Sequence, residues 1–298
     1  MVWRLILGPV LIATVVIAFV IDYKIGRVGW PLLVFTLALC IRSTSELVHL
    51  LSTRSFVPQM ILVNVCSAAI IFSNWFERIL SRDRDIHVRS VYALGPVLLT
   101  FSLVLLVLLF SQALRYRKPG QSMESLGAEI FIVSYVGILL SMTAQLRWVA
   151  GAEHGYFALG SLLAVTKCGD IGAYFVGKAF GRRKLIERLS PGKTRAGAVG
   201  AICGAALGSL FWFDVLAPRI NSTWQSGPFY YSLIYGICIG VVGLVGDLCE
   251  SLIKRDVGQK DSASIIPGFG GLLDILDSVI YSAPVAYLLW LYLPLMEN

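Results

Sequence analysis

Nine stretches of about 20 mostly apolar residues recur along this chain, each long enough for a helix to cross the roughly 30 Å hydrocarbon core of a bilayer. They run approximately over residues 2–22, 28–50, 57–76, 91–114, 127–146, 156–177, 196–217, 229–252 and 272–295. Only 14% of the 298 residues are charged, and the mean hydropathy is +0.76. Soluble domains carry about 25% charged residues, so this chain has too few to cover a water-facing surface. The predicted fold class is therefore all-α, a polytopic integral membrane protein with about nine transmembrane helices. A soluble enzyme, a disordered tail and a secreted disulfide scaffold are excluded. The fourth stretch is the cleanest. The second is the weakest, because its apolar part stops at Ile41 and R-S-T-S-E-L follows, which makes eight spans the alternative count.

Loop charge gives the orientation. The even-numbered loops of the nine-span count carry fifteen Lys and Arg and the odd-numbered loops eight, so the even loops are expected in the cytoplasm. Residues 2–22 have the charge and apolar run of a signal peptide but no small-x-small cleavage site before Asp22, so a retained first span is expected. The net charge of +7 fits loops facing anionic lipid, and no basic run interleaved with aromatics supports nucleic-acid binding. The six cysteines lie in apolar stretches without a C-x-x-C pair and read as packing residues. Residues 1–150 are predicted to form a region of about five plain spans, and residues 151–298 the region that carries the chemistry.

An ionisable group inside a span is expensive and marks a function by default. Lys167 and Asp170 in the sixth stretch are three apart, so they share a helix face and can pair. A purely structural pair is the alternative. In the eighth, Asp247, Glu250, Ser251 and Lys254 fall at i, i+3, i+4 and i+7 and form one polar stripe. Asp274 and Asp277 open the ninth on one face, where the helix dipole favours anions. Carboxylates so grouped suit a hard divalent cation, and capping of the first turn is the alternative for Asp274. Two loops, G-K-A-F-G-R-R-K-L-I-E-R-L-S-P-G-K-T and K-R-D-V-G-Q-K-D-S-A-S-I-I-P-G-F-G-G, combine Gly and Pro with Lys and Arg, the chemistry that wraps phosphates. His49, His87 and His154 lie outside these segments, so no histidine base serves them. A nucleophile that is already an anion needs none. Phosphoryl or nucleotidyl transfer, driven by positioning and charge neutralisation, fits this inventory.

The segment from Gly246 to Ser278 resembles the C-terminal motif of the CDP-diacylglycerol synthase (phosphatidate cytidylyltransferase) family, with Ser251, Lys254, Arg255, Lys260, Asp261, Pro267, Gly268, Gly270, Gly271, Asp274 and Asp277 on its pattern. The stretch Asp170 to Thr194 is similar to a second region of that family, with D-x-G-A-Y, F-G and S-P-x-K-T in order. The resemblance covers roughly residues 156–295. It implies transfer of a cytidylyl group from CTP to phosphatidic acid, giving CDP-diacylglycerol and pyrophosphate, with Mg²⁺ required and K⁺ associated with the site in some members. It further implies Asp247, Asp274 and Asp277 as metal carboxylates, with Asp247, Asp274, Lys254 and Lys260 at the catalytic centre. Lys193 and Arg255 would join the lysines in holding CTP and lipid phosphates, with Ser251, Asp261 and Asp170 as supporting polar groups. The expected partners are CTP, phosphatidic acid and the bilayer, with a homodimer left open. The expected place is a bacterial inner membrane, with the active site toward the cytoplasm.

Three positions depart from the family pattern: Phe269 for His, Ile275 for Arg, and Ala196 where an acidic or amide residue is common. They motivate two rivals, a cytidylyltransferase for another lipid phosphate and an inactive paralogue that binds lipid or nucleotide. A transporter would explain the intramembrane charges but not the two Lys/Gly/Pro loops.

Overall fold

The computed structural model of the protein describes residues 2–25, 28–54, 58–80, 94–117, 119–263 and 270–297. Long helices dominate them: α1 (Val2–Ile25), α2 (Trp30–Leu51), α3 (Met60–Leu80), α4 (Gly95–Arg115), α5 (Ser122–Val149), α6 (Gly151–Phe180), α7 (Arg195–Ile220), α8 (Phe229–Asp256) and α9 (Leu273–Tyr292). Each of the nine apolar stretches coincides with one of these helices. Eight are long and apolar enough to cross a membrane, and α3 contributes a shorter apolar segment, Met60–Phe76. The protein is an all-α integral membrane protein. Arg82, Arg84, Arg89, Lys118, Pro267, Gly268 and Phe269 lie outside the described residues.

The helices form two compact units, Met1–Gln145 with Val257–Ile275, and Leu146–Asp256 with Leu276–Asn298. Unlike a single cut at residue 150, this division groups the stretch after α8 with the N-terminal helices.

The first unit is held by buried polar clasps, which bond more readily in lipid because water does not compete. Asp22, fully buried on α1, accepts the Leu32 N–H at 2.9 Å and so caps α2 from a neighbouring helix. Gly29, at φ 74°, turns the chain beside that carboxylate, and its carbonyl accepts from the Trp75 indole at 3.1 Å. Glu129 of α5, also fully buried, accepts from the Gln59 N–H before α3 and from the Gln112 amide of α4. Asn74 joins Ser141 at 2.7 Å and Gln145 at 2.6 Å. Leu47, Ile70, Ile71, Trp75 and Ile132 fill the space between, whereas Leu98, Leu99, Leu106 and Phe110 of α4 face outward, as lipid contact requires.

The second unit packs by small residues. A Cβ on Gly172 of α6 would stand 2.2 Å from the Gly200 carbonyl of α7, so the two backbones touch there. Tyr235 and Trp290 share the Ser161 hydroxyl at 2.9 and 3.1 Å. A turn of π-helix interrupts α5 at Val133–Ile138 and α7 at Phe211–Leu216. Two small sheets were not expected: β1 (Lys184–Ile186) pairs antiparallel with β2 (Ser190–Thr194), and β3 (Gln225–Ser226) with β4 (Met296–Glu297). All six cysteines are free thiols.

Candidate active site

In the second unit, Asp247 and Glu250 on α8 meet Asp277 on α9, with one carboxylate oxygen from each within 4.8 Å of the others. Local sequence explains the approach. Asp247 and Glu250 are three apart and share a helix face. The residue before Asp247 is Gly246, whose Cβ would lie 2.6 Å from the Tyr281 Cβ and 3.2 Å from the Asp277 carbonyl. Any side chain there would push α9 away.

Two lysines answer these acids. Lys193 of β2 reaches Asp247 Oδ2 at 2.6 Å, and Lys254, one turn beyond Glu250, reaches its Oε2 at 2.5 Å. Lys193 is placed by the residue after it. Thr194 ends β2 and its hydroxyl oxygen accepts the Gly197 N–H at 3.0 Å, which caps α7. The S-P-G-K-T run is thus a strand ending in a helix cap, which fixes where the lysine leaves the backbone. Lys167 pairs with Asp170 at 2.9 Å and touches the Ser278 hydroxyl at 3.4 Å, so Lys167 also borders the residue next to Asp277.

Three carboxylates against Lys193 and Lys254 leave an excess of negative charge, with Glu250 and Asp277 almost fully buried. Burying like charges is costly unless something neutralises them. The set offers only hard oxygen donors, the preference of Mg²⁺ and Ca²⁺. Oxygens on opposite sides of one Mg²⁺, each at about 2.1 Å, lie about 4.2 Å apart and adjacent ones closer, so the three carboxylates, within 4.8 Å of one another, are near enough to draw in around such an ion.

Asp274, expected among the metal carboxylates, lies in the first unit among close hydrogen-bond donors. Its Oδ2 accepts the Ser262 N–H at 2.9 Å, the Ser262 hydroxyl at 2.8 Å and the Gly271 N–H at 2.7 Å. The residue that stands with Asp247 and Asp277 is Glu250, which the sequence placed on the polar stripe but not among the ligands. The same packing explains two glycines of the motif. A Cβ on Gly270, at φ 95°, would meet Asp274 Oδ2 at 2.5 Å, and one on Gly271 would meet the Ser262 hydroxyl at 2.1 Å and Glu46 Oε2 at 2.4 Å. Glu46, on α2, carried no role in the sequence reading. The signal was there: it is the acid of the R-S-T-S-E-L run that shortened the second apolar stretch. Lys260, Asp261, Arg255 and Asp170 are exposed, and Ser251 is half-buried on the α8 stripe.

Comparison with known proteins agrees with the motif. The pattern of the cytidylyltransferase family matches residues 2–293. The chain is 38% identical over 158 residues to the uncharacterized protein YnbB of Escherichia coli K12, covering 53% of this chain and 49% of that one. It is 36% identical over 166 residues to a phosphatidate cytidylyltransferase of Chlamydia pneumoniae, covering 54% and 53%. To the phosphatidate cytidylyltransferase of Bacillus subtilis 168 it is 41% identical over 121 residues, covering 40% and 42%. The matched stretches thus span about half the length of these relatives. The family pattern itself runs through both units, and with it the chain belongs to the cytidylyltransferase family.

Proposed function

We propose that this protein transfers the cytidylyl group of CTP to phosphatidic acid, giving CDP-diacylglycerol and pyrophosphate. The observation that carries the reading is the Asp247–Glu250–Asp277 cluster with a lysine on each of two of its carboxylates. A phosphate oxygen of phosphatidic acid attacks the α-phosphorus of CTP. The bond from that phosphorus to the bridging oxygen breaks, and pyrophosphate leaves with the electron pair. The nucleophile is already an anion, so no side chain has to remove a proton. What the chain must supply is positioning and positive charge against the crowded phosphates.

Asp247, Glu250 and Asp277 are the residues that would hold Mg²⁺, which would supply Lewis-acid neutralisation of the phosphate oxygens. Lys193 and Lys254 are the cations nearest those acids, and both can turn from a carboxylate to a phosphate when substrate enters. Lys260 and Arg255 extend the positive charge of the motif, and Asp170 holds Lys167 ready beside Ser278. The excess of Lys and Arg in the even-numbered loops supports a cytoplasmic active site in a bacterial inner membrane, where CTP is available. A second reading, transfer to a different lipid phosphate, is favoured by Ile275, which lacks the charge that the family's Arg would bring.

The test is conversion of labelled CTP to CDP-lipid by purified protein in detergent with phosphatidic acid and Mg²⁺, beside the Asp277→Asn variant. Turnover that the variant loses is expected. Turnover only with another lipid phosphate would select the second reading, and none with any acceptor would end both.

A further inference from the structure

Glu46 lies on α2, more than two hundred positions before the residues it binds, and its side chain is 1% exposed. Its Oε1 accepts the Leu272 N–H and its Oε2 the Leu273 N–H, each at 3.0 Å. The Ser262 hydroxyl stands 3.3 Å from Oε2, and the Arg42 Nε donates to Oε1 at 3.0 Å. The Gly271 N–H goes to Asp274. Three consecutive amides at the start of α9, Gly271, Leu272 and Leu273, therefore all end on carboxylates. These are donors that a helix N-terminus leaves without an intrahelical acceptor, and negative charge there is favoured by the dipole.

The two carboxylates are joined through one residue. Ser262 presents its hydroxyl to both, nearer to Asp274 at 2.8 Å than to Glu46 at 3.3 Å. Glu46 thus braces, from an otherwise plain helix, the segment that carries Lys260, Asp261 and Asp274. An apolar side chain there would leave the Leu272 and Leu273 amides without this acceptor, so Glu46 ties the segment to α2 as Asp22 ties the start of α2 to α1. An ionisable group at this depth marks a function by default.

We propose that Glu46 is a positioning residue for cytidylyl transfer. It fixes the motif segment, and through Ser262 the Asp274 carboxylate, in the arrangement that receives substrate. The assignment rests on the reaction proposed above. It adds a residue of the N-terminal helices, outside the stretch that resembles the family motif, to the machinery of that reaction.

The test compares wild type, Glu46→Gln and Ser262→Ala as full-length protein in detergent, by hydrogen–deuterium exchange of peptides over residues 270–275 and by steady-state kinetics with CTP. Glutamine keeps the shape but offers one acceptor where two amides need one each. The exchange rate of those peptides should rise about tenfold or more, with α7 and α8 as in wild type. The kcat should fall about tenfold or more while KM for CTP stays within about threefold; a partly unfolded population would give the same split, and wild-type exchange of α7 and α8 excludes it. Ser262→Ala should move both readouts the same way by a smaller factor. Unchanged exchange in Glu46→Gln, or raised exchange with unchanged kcat, overturns the proposal. If Glu46→Gln exchanges everywhere because it has not folded, Ser262→Ala decides by the same two criteria. A wild-type protein that makes no CDP-lipid instead removes the reaction, a result separate from unchanged exchange.

Discussion

Replacing Lys193 with methionine separates what the Lys193–Asp247 pair does for the fold from what it does for the chemistry. The ammonium and carboxylate are 2.6 Å apart, but their side chains are 19% and 38% exposed. The Lys193 Nζ itself is buried, but the half-open Asp247 carboxylate stays in reach of water and salt and is resolvated when its partner is removed, so the pair contributes about 1 kcal/mol to stability. For a chain of this size that amounts to a fall of about 2 °C or less in Tm, and methionine retains most of the lysine's apolar stem. The rate effect should be far larger. Removing one preorganised group that opposes charge developing on the phosphates costs about 2.7–4 kcal/mol, or about 10²–10³-fold in kcat. The assay is CDP-lipid formation from labelled CTP at saturating Mg²⁺, with a thermal melt of the same preparation. A loss of less than about threefold would refute the placement of Lys193 on the substrate. A large loss accompanied by a fall in Tm well beyond about 2 °C would show that the lysine acts through the fold.

Asp277→Asn removes one of three crowded carboxylates. It should weaken Mn²⁺ binding, read by electron paramagnetic resonance, and lower turnover about a hundredfold, while Tm holds or rises as repulsion from Asp247 and Glu250 is relieved. Chelation by EDTA should abolish turnover, and added Mg²⁺ should restore it. Gly172→Ala would bring a Cβ to 2.2 Å from the Gly200 carbonyl, so the α6–α7 contact must open at a cost of about 1–3 kcal/mol, visible as a lower Tm in detergent. Thr194→Ala should cost about 1 kcal/mol through the lost α7 cap, and its effect on turnover should exceed its effect on Tm because Lys193 is the adjacent residue.

The helices were legible because lipid imposes a length and a composition that any window of the sequence reveals. Even the weak second stretch is a full helix: Arg42 and Glu46 pair one turn apart, and the Ser45 hydroxyl bonds back to the Ile41 carbonyl, so the polar run does not end it. The Asp247–Glu250 face was legible for the same local reason, as a matter of helical period. Three things were not. The β1–β2 hairpin is short, and the stretch K-L-I-E-R-L-S-P-G-K-T from Lys184 to Thr194 carries no sustained alternating pattern. The hold that the Ser262 and Gly271 donors take on Asp274, and the place of Glu250 beside Asp247 and Asp277, rest on contacts that a spacing of three cannot reveal. Glu46 finds its partners across most of the chain, and no local periodicity records a contact of that range.

The two adjacent glycines of the motif have different histories open to them. Gly270 needs its positive φ whatever surrounds it, so it should resist replacement in every genetic background. Gly271 has no such φ; it is held by the atoms that fill its Cβ position, Glu46 Oε2 and the Ser262 hydroxyl. Its constraint is conditional. A lineage that first trimmed position 46 to a small residue and Ser262 to alanine would release position 271 to accept alanine, while the reverse order would pass through a clash. Substitutions at 46, 262 and 271 should therefore show stronger epistasis in a combinatorial library than those at 270, where the positive φ persists whatever the neighbours.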